Sequence, residues 1–178
     1  MGKTVGILTF HASHNYGSML QAYALQKTVQ NLGYTCEIIN FRTKRQKEYY
    51  LPLYSKGTLL ARLKYFIVLL PYVKSLKKKQ ELFESFIRDY LSVTSTEYES
   101  MDDLKNANLN YDIYLTGSDQ IWNTICFDFD WAYLLPFVNN GKKIAYAPSM
   151  GPNPSCQVSQ RNIDSIVESG TPTAKPLG

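Results

Sequence analysis

The beginning of the chain contains a strand, a polar loop, a helix and a second strand, in that order. Residues 5–10 form a short, largely apolar run that is typical of a strand covered on both faces. Apolar side chains then recur at helical spacing from residue 17 to residue 32, and Gly33 stands where a helix C-terminal cap belongs. Residues 36–41 read as a second strand. This order predicts a β-α-β unit with parallel strands and a right-handed crossover.

Two more strand-like runs occur later in the chain, at residues 111–116 and 143–147. The first is followed by G-S-D and the second by P-S-M-G, so both end in small polar residues. In open parallel sheets, ligands bind outside the carboxyl ends of the strands. We therefore predict an α/β domain over residues 1–151, with a parallel sheet, helices on both faces and a ligand site along that edge.

Positive charge is concentrated in one part of the sequence. Residues 42–79 hold 11 Lys or Arg and a single acid, Glu48, whereas the rest of the chain holds 8 basic and 14 acidic residues. This segment lies in a predicted basic helical insertion at about 42–100, which contains an apolar helical stripe at residues 82–90. Ser100 and Asp103 have the spacing of a capping box that starts a further short helix.

The basic segment has two interpretations. Lysines flank the apolar run at residues 65–73, as in helices that lie on anionic membranes, so residues 42–79 are a candidate for peripheral membrane contact. The simpler alternative is a solvated basic face on a helix that packs in the ordinary way. No nucleic-acid-binding module is recognisable, and a nucleic acid partner is not expected.

Other features place the chain among cytoplasmic globular proteins. The three cysteines are far apart and form no C-x-x-C pair, which predicts neither a disulfide framework nor a zinc site. The N-terminus lacks the features of a signal peptide. The most apolar run, at residues 65–73, is about half of the roughly 20 residues that span a bilayer. Residues 155–169 are consistent with one more helix, followed by an irregular tail to residue 178.

The loop H-A-S-H-N-Y-G-S at residues 11–18 joins the first strand to the first helix. Unpaired backbone N–H groups and the helix dipole favour an anion, such as a phosphate or carboxylate, at such a helix start. Asn15 or Ser18 is the expected N-cap. Taken singly, His11 and His14 are most simply explained as solvated side chains. The loop as a whole predicts a ligand-contacting site.

Two common nucleotide-binding loops are excluded at this position. G-x-G-x-x-G is absent, and the second strand ends in N-F-R where a ribose-binding acid would be needed. The loop is not a P-loop either, because no G-K-[ST] follows it. The sequence therefore disfavours both nicotinamide and NTPase chemistry.

The loop G-S-D-Q-I-W-N at residues 117–123 follows its strand immediately. Its acid, Asp119, could orient a sugar hydroxyl or act as a base. Trp122 has two equally good interpretations, which are stacking on a sugar face and packing in the core.

Three motifs occur in order along the chain. They are H-x-S-x-N-Y-G-S-x-L-Q-A-Y-A-L at residues 11–25, Y-D-x-Y-L-T-G-S-D-Q-I-W-N at 111–123 and K-K-I-A-Y-A-P-S-M-G at 142–151. With this order and spacing the sequence resembles the polysaccharide pyruvyl transferase family from residue 5 to residue 151. The G-S-D-Q-I-W-N motif is the most specific of the three. Pro148 departs from the family pattern, which has a small residue before Ser149.

The resemblance implies a fold and a reaction. The fold is a Rossmann-like sheet that forms one lobe of a two-lobed transferase, similar to GT-B glycosyltransferases. The reaction transfers a pyruvyl group from phosphoenolpyruvate to a glycan sugar as a ketal, in cell-surface polysaccharide biosynthesis. It needs no cofactor or metal beyond the phosphoenolpyruvate donor, and its acceptor is a glycan or a lipid-linked saccharide.

The motifs also supply the candidate site residues. We expect Asp119 and His14 to be catalytic. The expected substrate-binding residues lie in the three loops and the first helical turns: His11, Asn15, Tyr16, Gly17, Ser18, Gln21, Gly117, Ser118, Gln120, Trp122, Asn123, Ser149 and Gly151.

The family pattern also leads us to expect that this chain is incomplete. Members are usually about twice as long, and their second half supplies the other wall of the cleft, so we expect no pyruvyl transfer from the 178-residue chain alone. Two alternatives stay open. One is a glycosyltransferase-like lobe that uses a nucleotide sugar, and the other is a non-catalytic remnant that binds a saccharide or a partner.

Overall fold

The computed structural model of the protein describes residues 2–52 and 58–151. The strands in these ranges are β1 (Thr4–Leu8), β2 (Thr35–Ile38), β3 (Ile113–Asp119) and β4 (Lys142–Pro148). The α-helices are α1 (Tyr16–Asn31), α2 (Lys44–Tyr49), α3 (Leu59–Leu69), α4 (Val73–Tyr90) and α5 (Met101–Asn106). Short 3-10 helices occur at Leu70–Tyr72 and Trp131–Leu134. The helix predicted at residues 155–169 and the tail to residue 178 lie outside the described ranges.

The four strands form one parallel sheet in the order β2-β1-β3-β4. The predicted α/β class and the β1-α1-β2 unit are therefore confirmed, and the sheet is Rossmann-like. Strand ends differ from the prediction. β1 ends at Leu8 rather than at residue 10, and β2 ends at Ile38 rather than at residue 41, because beyond it the chain forms only isolated bridges. β3 extends to Asp119 because its last residues still pair with β4.

Helices α1 and α4 cover one face of the sheet. Alternate strand residues such as Val5, Ile7 and Ile38 point to this face, as the two-residue period of a strand requires. The helical side chains that pack against them are Met19, Ala22, Leu25 and Val29 of α1, and Phe83 and Ile87 of α4. Burial of each of these side chains larger than alanine is worth about 1.5–3 kcal/mol relative to exposure. The apolar stripe predicted at residues 82–90 is thus only partly buried, because Leu82 and Tyr90 remain exposed.

The other face of the sheet packs against α5 and the segment that follows β3. Leu8 and Tyr114 point to this side, where Leu104 of α5 and the wholly buried Ile121 and Tyr133 join them. Helical elements therefore lie on both faces, as predicted. The covering of both faces also explains why the run at residues 5–10 is largely apolar.

Helices α2 to α5 lie between β2 and β3 in the chain. The capping box predicted at the start of α5 is present: the Ser100 hydroxyl accepts from the Asp103 N–H, and the Asp103 carboxylate accepts from the Ser100 N–H. None of the helices in residues 2–52 and 58–151 is long and apolar enough to cross a membrane.

Gly117, near the end of β3, lies unusually close to β4. Its φ is +127°, and a Cβ added there would lie 1.9 Å from the carbonyl oxygen of Tyr146. Only glycine permits the two strands to approach in this way. Ser118 and Asp119 follow Gly117 at the end of β3, so this close approach helps to fix their position beside β4.

We expect Gly117→Ala to lower the free energy of unfolding by at least about 3 kcal/mol, because the methyl group would collide with backbone. Gly33→Ala is the matched control, since Gly33 also has a positive φ, +88°, but a Cβ added to it would meet no atom within 4 Å. It should lose only about 1 kcal/mol from backbone conformation. Urea unfolding of both variants checks this, and equal losses would contradict the steric explanation.

Candidate functional site

The order of the strands places a crevice between the carboxyl ends of β1 and β3. From β1 the chain crosses to β2 on one side, and after the insertion it returns to β3 on the other side. At such a switch point the loops after the two central strands diverge and leave a ligand-sized opening. Here these are the loop at residues 11–18 and the loop at residues 117–123, the two segments that the sequence singled out.

Direct side-chain contacts join the two loops across this crevice. The Ser18 hydroxyl donates to Asp119 Oδ2 at 2.7 Å. Thr9 Oγ1 lies 3.2 Å from Gln21 Oε1 and 3.5 Å from the Ser118 carbonyl oxygen. Gln21 Nε2 is buried and has no hydrogen-bond partner among the described residues. Residues that are about a hundred positions apart in the chain therefore share one small polar site.

Asn15 caps the start of α1. Its Oδ1 accepts from the N–H of Gly17 at 2.8 Å and from the N–H of Ser18 at 3.4 Å. Ser18, the other candidate cap, instead turns to Asp119. Because an amide oxygen and a carboxylate already lie at the helix start, this position is less suited to an anion than the sequence indicated.

Asp119 lies where the loops after β3 and β4 meet. Its Oδ1 accepts from the Gln120 N–H at 2.7 Å, and its backbone carbonyl accepts from the Ser149 N–H at 2.9 Å. The residue has a φ of +84°, which an Asp tolerates better than most side chains do. The carboxylate is half-buried and still has unused lone pairs, so it can accept further hydrogen bonds from a ligand.

Other residues predicted to bind substrate form contacts between the loop after β3 and the loop after β4. Asn123 Nδ2 donates to Gln120 Oε1 at 2.9 Å, and a Cβ on Gly151 would lie 2.5 Å from the same Asn123 nitrogen. The Trp122 N–H donates to the Ser149 carbonyl, and its indole Nε1 donates to the Tyr133 carbonyl at 3.4 Å. The ring of Trp122 packs against the second core cluster. The packing interpretation of Trp122 therefore agrees with the structure.

His11 lies inside the protein. The residue is 1% exposed, its Nδ1 lies 3.3 Å from the Thr9 carbonyl oxygen and its Nε2 lies 3.1 Å from Asn40 Oδ1. Burial lowers the pKa of His11, which favours the neutral ring. The expectation of a solvated His11 is therefore wrong. Its contact with substrate stays a prediction, and such complete burial weighs against it.

His14 is also buried rather than solvated, and it faces α4. Its Nε2 lies 3.0 Å from Glu84 Oε1, and its side chain is only 7% exposed. The ring stacks on Phe83 at a centroid distance of 5.2 Å, and its centroid lies 4.9 Å from that of Tyr50. Arg42 binds the same carboxylate, with Nη2 to Oε1 at 2.6 Å and Nη1 to Oε2 at 3.1 Å. This Arg42-Glu84-His14 cluster fixes the orientation of the imidazole.

Glu84 stays ionised in this cluster. Hydrogen bonds from His14 and Arg42 lower its pKa from 4.5 to about 2, although burial acts in the opposite direction. A carboxylate bound to one nitrogen of a histidine is a common way to fix that ring for proton transfer.

Asp128 connects the β1 loop to the insertion. Its Oδ2 accepts from the Ser13 hydroxyl and from the Tyr50 hydroxyl, each at 2.7 Å, while its buried Oδ1 has no partner among the described residues. Burial of the Tyr50 hydroxyl and its contact with Asp128 raise the pKa of Tyr50 well above its usual value. Tyr16, by contrast, is 71% exposed at the edge of the crevice.

The sequence did not single out several residues of this site, namely Arg42, Tyr50, Glu84 and Asp128. All four lie outside the motifs. The only available signal was the position of Arg42 just after the second strand and of Glu84 beside an apolar stripe. In residues 2–52 and 58–151, no three His, Cys, Asp or Glu side chains come together as a metal site.

A family model for polysaccharide pyruvyl transferase matches residues 15–169. The chain belongs to the polysaccharide pyruvyl transferase family. This match includes the loop after β3 and the second half of the β1 loop, and it extends beyond the described residues. A search of curated proteins and a search of solved structures each found no match.

The pH dependence of stability tests the Glu84 interactions in this family member. Because the pKa of Glu84 falls from 4.5 to about 2 on folding, its carboxylate stabilises the fold above pH 4.5, and that contribution disappears as the pH falls through 2. Urea unfolding should therefore show a steeper loss of stability over this range in the wild type than in Glu84→Gln. Parallel pH profiles would contradict the assignment. Asp102→Asn, at an exposed position on α5, is the control.

Proposed function

We propose that this protein forms one wall of a site that transfers a pyruvyl group from phosphoenolpyruvate to two hydroxyls of one glycan sugar, in cell-surface polysaccharide biosynthesis. In the balanced reaction, C3 of the donor gains a proton and becomes a methyl group. Both sugar oxygens bond to C2 and lose their protons, and the bond from C2 to the phosphate oxygen breaks. In the overall balance, C3 receives one of these two protons and the released phosphate receives the other. No oxidant, reductant or metal is required.

The observation that carries this proposal is the position of the Asp119 carboxylate. It lies at the junction of the loops after β1, β3 and β4, held by Ser18 and by the N–H of Gln120. A half-buried carboxylate with free lone pairs suits neutral hydroxyl groups, which donate hydrogen bonds to it. We therefore assign the acceptor sugar to this part of the crevice, with Asp119 as the group that orients a hydroxyl and accepts its proton.

Other polar groups of the same loops would hold the sugar beside Asp119. The described candidates are Asn15, Tyr16, Gly17, Ser18, Gln21, Gly117, Ser118, Gln120, Trp122, Asn123, Ser149 and Gly151. The exposed ring of Tyr16 offers an apolar face at the crevice edge, and sugar rings stack on such faces. In this proposal the Rossmann-like sheet forms one wall of a cleft of the two-lobed kind.

His14 is the second proposed catalytic residue. Its orientation is fixed by Glu84 and Arg42 and by stacking on Phe83. An imidazole held in this way is positioned to donate or accept a proton through a ring nitrogen. We propose that it takes part in the proton transfers that accompany ketal formation, as donor to C3 or as acceptor from the second hydroxyl.

The surface polysaccharide of the producing cell provides the direct test. Deleting the gene should remove the pyruvate ketal methyl signal from the proton NMR spectrum of that polysaccharide, and the wild-type gene should restore it. Asp119→Asn should restore transfer at a rate at least about 100-fold lower, since removal of a general base typically has an effect of this size. Asp102→Asn, the same chemical change at an exposed position on α5, should restore it fully. An unchanged ketal signal in the deletion strain would contradict the proposed reaction.

Binding to the purified chain separates the donor classes. Saturation-transfer NMR should show contact with the acceptor glycan, weakened at least about tenfold by Asp119→Asn, which loses a charge-assisted hydrogen bond, and unchanged by Asp102→Asn. Saturation transfer to nucleotide sugars, without any transfer to the glycan or to phosphoenolpyruvate, would instead support a glycosyltransferase-like site.

A further inference from the structure

Helix α3 exposes almost all of its apolar side chains. Leu59 and Leu60 are 82% and 80% exposed, and Leu63, Phe66 and Ile67 are 43–57% exposed. No side chain described in this helix is buried. The ordinary alternative for the basic segment, a helix packed on the core by its apolar face, therefore does not fit α3. An exposed apolar patch of this kind marks a contact site.

Five of the exposed apolar residues of α3 form one stripe with basic residues on both sides, while the exposed Tyr65 and Val68 lie on the opposite face. At 3.6 residues per turn, Leu59, Leu60, Leu63, Phe66 and Ile67 fall within an arc of about 120°. Arg62 and Lys64 lie about 40° outside the two edges of this arc. Apolar residues that enter the acyl boundary, flanked by cations at headgroup level, are the arrangement of helices that lie in a membrane interface.

The first turns of α4 extend the basic surface. Lys74, Lys77 and Lys78 are spaced i, i+3 and i+4, so they share one face of this helix. None of the ion pairs within the described residues involves them. No acid occurs from residue 49 to residue 80, whereas the same span holds seven Lys or Arg. This surface therefore presents positive charge that the described part of the protein does not neutralise.

The structure also narrows the membrane-contact segment predicted at residues 42–79. Lys44 and Lys47, at its beginning, pair with Glu97 and Glu99, and Arg42 pairs with Glu84. These early cations belong to the fold, and their charge is compensated. Arg45 of α2 lies over the ring of Phe127, and the other described cations of the segment that form no ion pair lie on α3 and the start of α4.

We propose that α3 and the lysine face of α4, together called the α3-α4 surface, dock the protein on an anionic phospholipid bilayer. Charge decides between the possible occupants. A second copy of the chain would bring two strongly positive surfaces together, which is repulsive, whereas anionic headgroups attract each lysine near the surface. The apolar stripe then enters the interface by about 5–10 Å. This docking does not depend on the proposed reaction.

A groove connects the α3-α4 surface to the start of α1. It has a volume of about 480 Å³ and is lined by Lys78 and Leu82 of α4 and by Tyr16 and Leu20 of α1. Lys78 thus belongs to both the lysine face and the groove. Docking would place the bilayer next to the groove and next to Tyr16, at the edge of the crevice.

Co-sedimentation of the full chain with vesicles tests the electrostatic part. Binding should be strong to phosphatidylcholine vesicles that contain phosphatidylglycerol, weak to phosphatidylcholine alone, and reduced by salt. The triple variant Lys74→Gln, Lys77→Gln, Lys78→Gln should bind about 100-fold more weakly. The matched control Lys3→Gln, Lys27→Gln, Lys105→Gln removes the same charge elsewhere and should lose less than about threefold. Equal losses in the two variants would overturn a localised surface.

A fluorescent probe tests insertion of the apolar stripe. In Phe66→Trp, emission should shift to the blue on addition of anionic vesicles, because the indole leaves water. Tyr146→Trp, at an exposed site on β4, should show no such shift. Leu63→Gln with Ile67→Gln should weaken binding at least about tenfold while the melting temperature stays unchanged, since both side chains are exposed.

Two results would overturn the proposal. The first is that the full chain binds anionic vesicles no better than neutral ones, or that Phe66→Trp shows no blue shift. The second is that the chain self-associates in sedimentation experiments and Leu63→Gln with Ile67→Gln abolishes that association, which would assign the surface to a second copy. Vesicle binding that the triple lysine variant and the stripe variant both weaken would support docking.

Discussion

The pairing of β3 with β1, on the side opposite β2, is the constraint on which the rest of the structure depends. It brings the loop at residues 11–18 next to the loop at residues 117–123, although about a hundred residues separate them in the chain. The hydrogen bond from Ser18 to Asp119 exists only because of this register. The close approach of Gly117 to Tyr146 adds the β4 loop to the same place. The site is therefore a consequence of strand order, and each loop alone would be an ordinary connection.

The insertion between β2 and β3 is part of the site as well as a link between strands. Glu84 on α4 holds His14, and Tyr50 after α2 binds Asp128 together with Ser13. These contacts join the first loop to elements far from it in sequence, and they bury groups that a solvated loop would leave free. The cluster fixes the conformation of the first loop, and preorganisation of this kind is what the proposed proton transfer by His14 would require.

The sequence predicted those parts of the fold that depend on local physics. Helical and strand periodicity identified α1 and all four strands, and the Ser100-Asp103 capping box was correct because its partners are three residues apart. Local patterns could not reveal the environments of His11 and His14, since Asn40 and Glu84 lie 29 and 70 residues away from them. Strand ends were also missed where a neighbouring strand decides them, as β4 does for β3. The motifs located the two loops that meet at the site, and the three-dimensional contacts showed what the side chains within these loops touch.

The sequence shows where the charged residues are, but only the fold shows which of them form ion pairs. In the sequence, residues 42–79 form one basic block, but the fold divides it. Three cations at its start, Arg42, Lys44 and Lys47, are paired with acids from residues 84–99, so they hold the insertion to the site. Cations on α3 and early α4 form no ion pair with the described acids and surround exposed leucines instead. Exposed apolar side chains are unfavourable in water. At an anionic membrane interface they would leave water, and the neighbouring lysines would contact negatively charged headgroups. One insertion thus holds the first loop with its inner contacts and carries the proposed docking surface on its outer side.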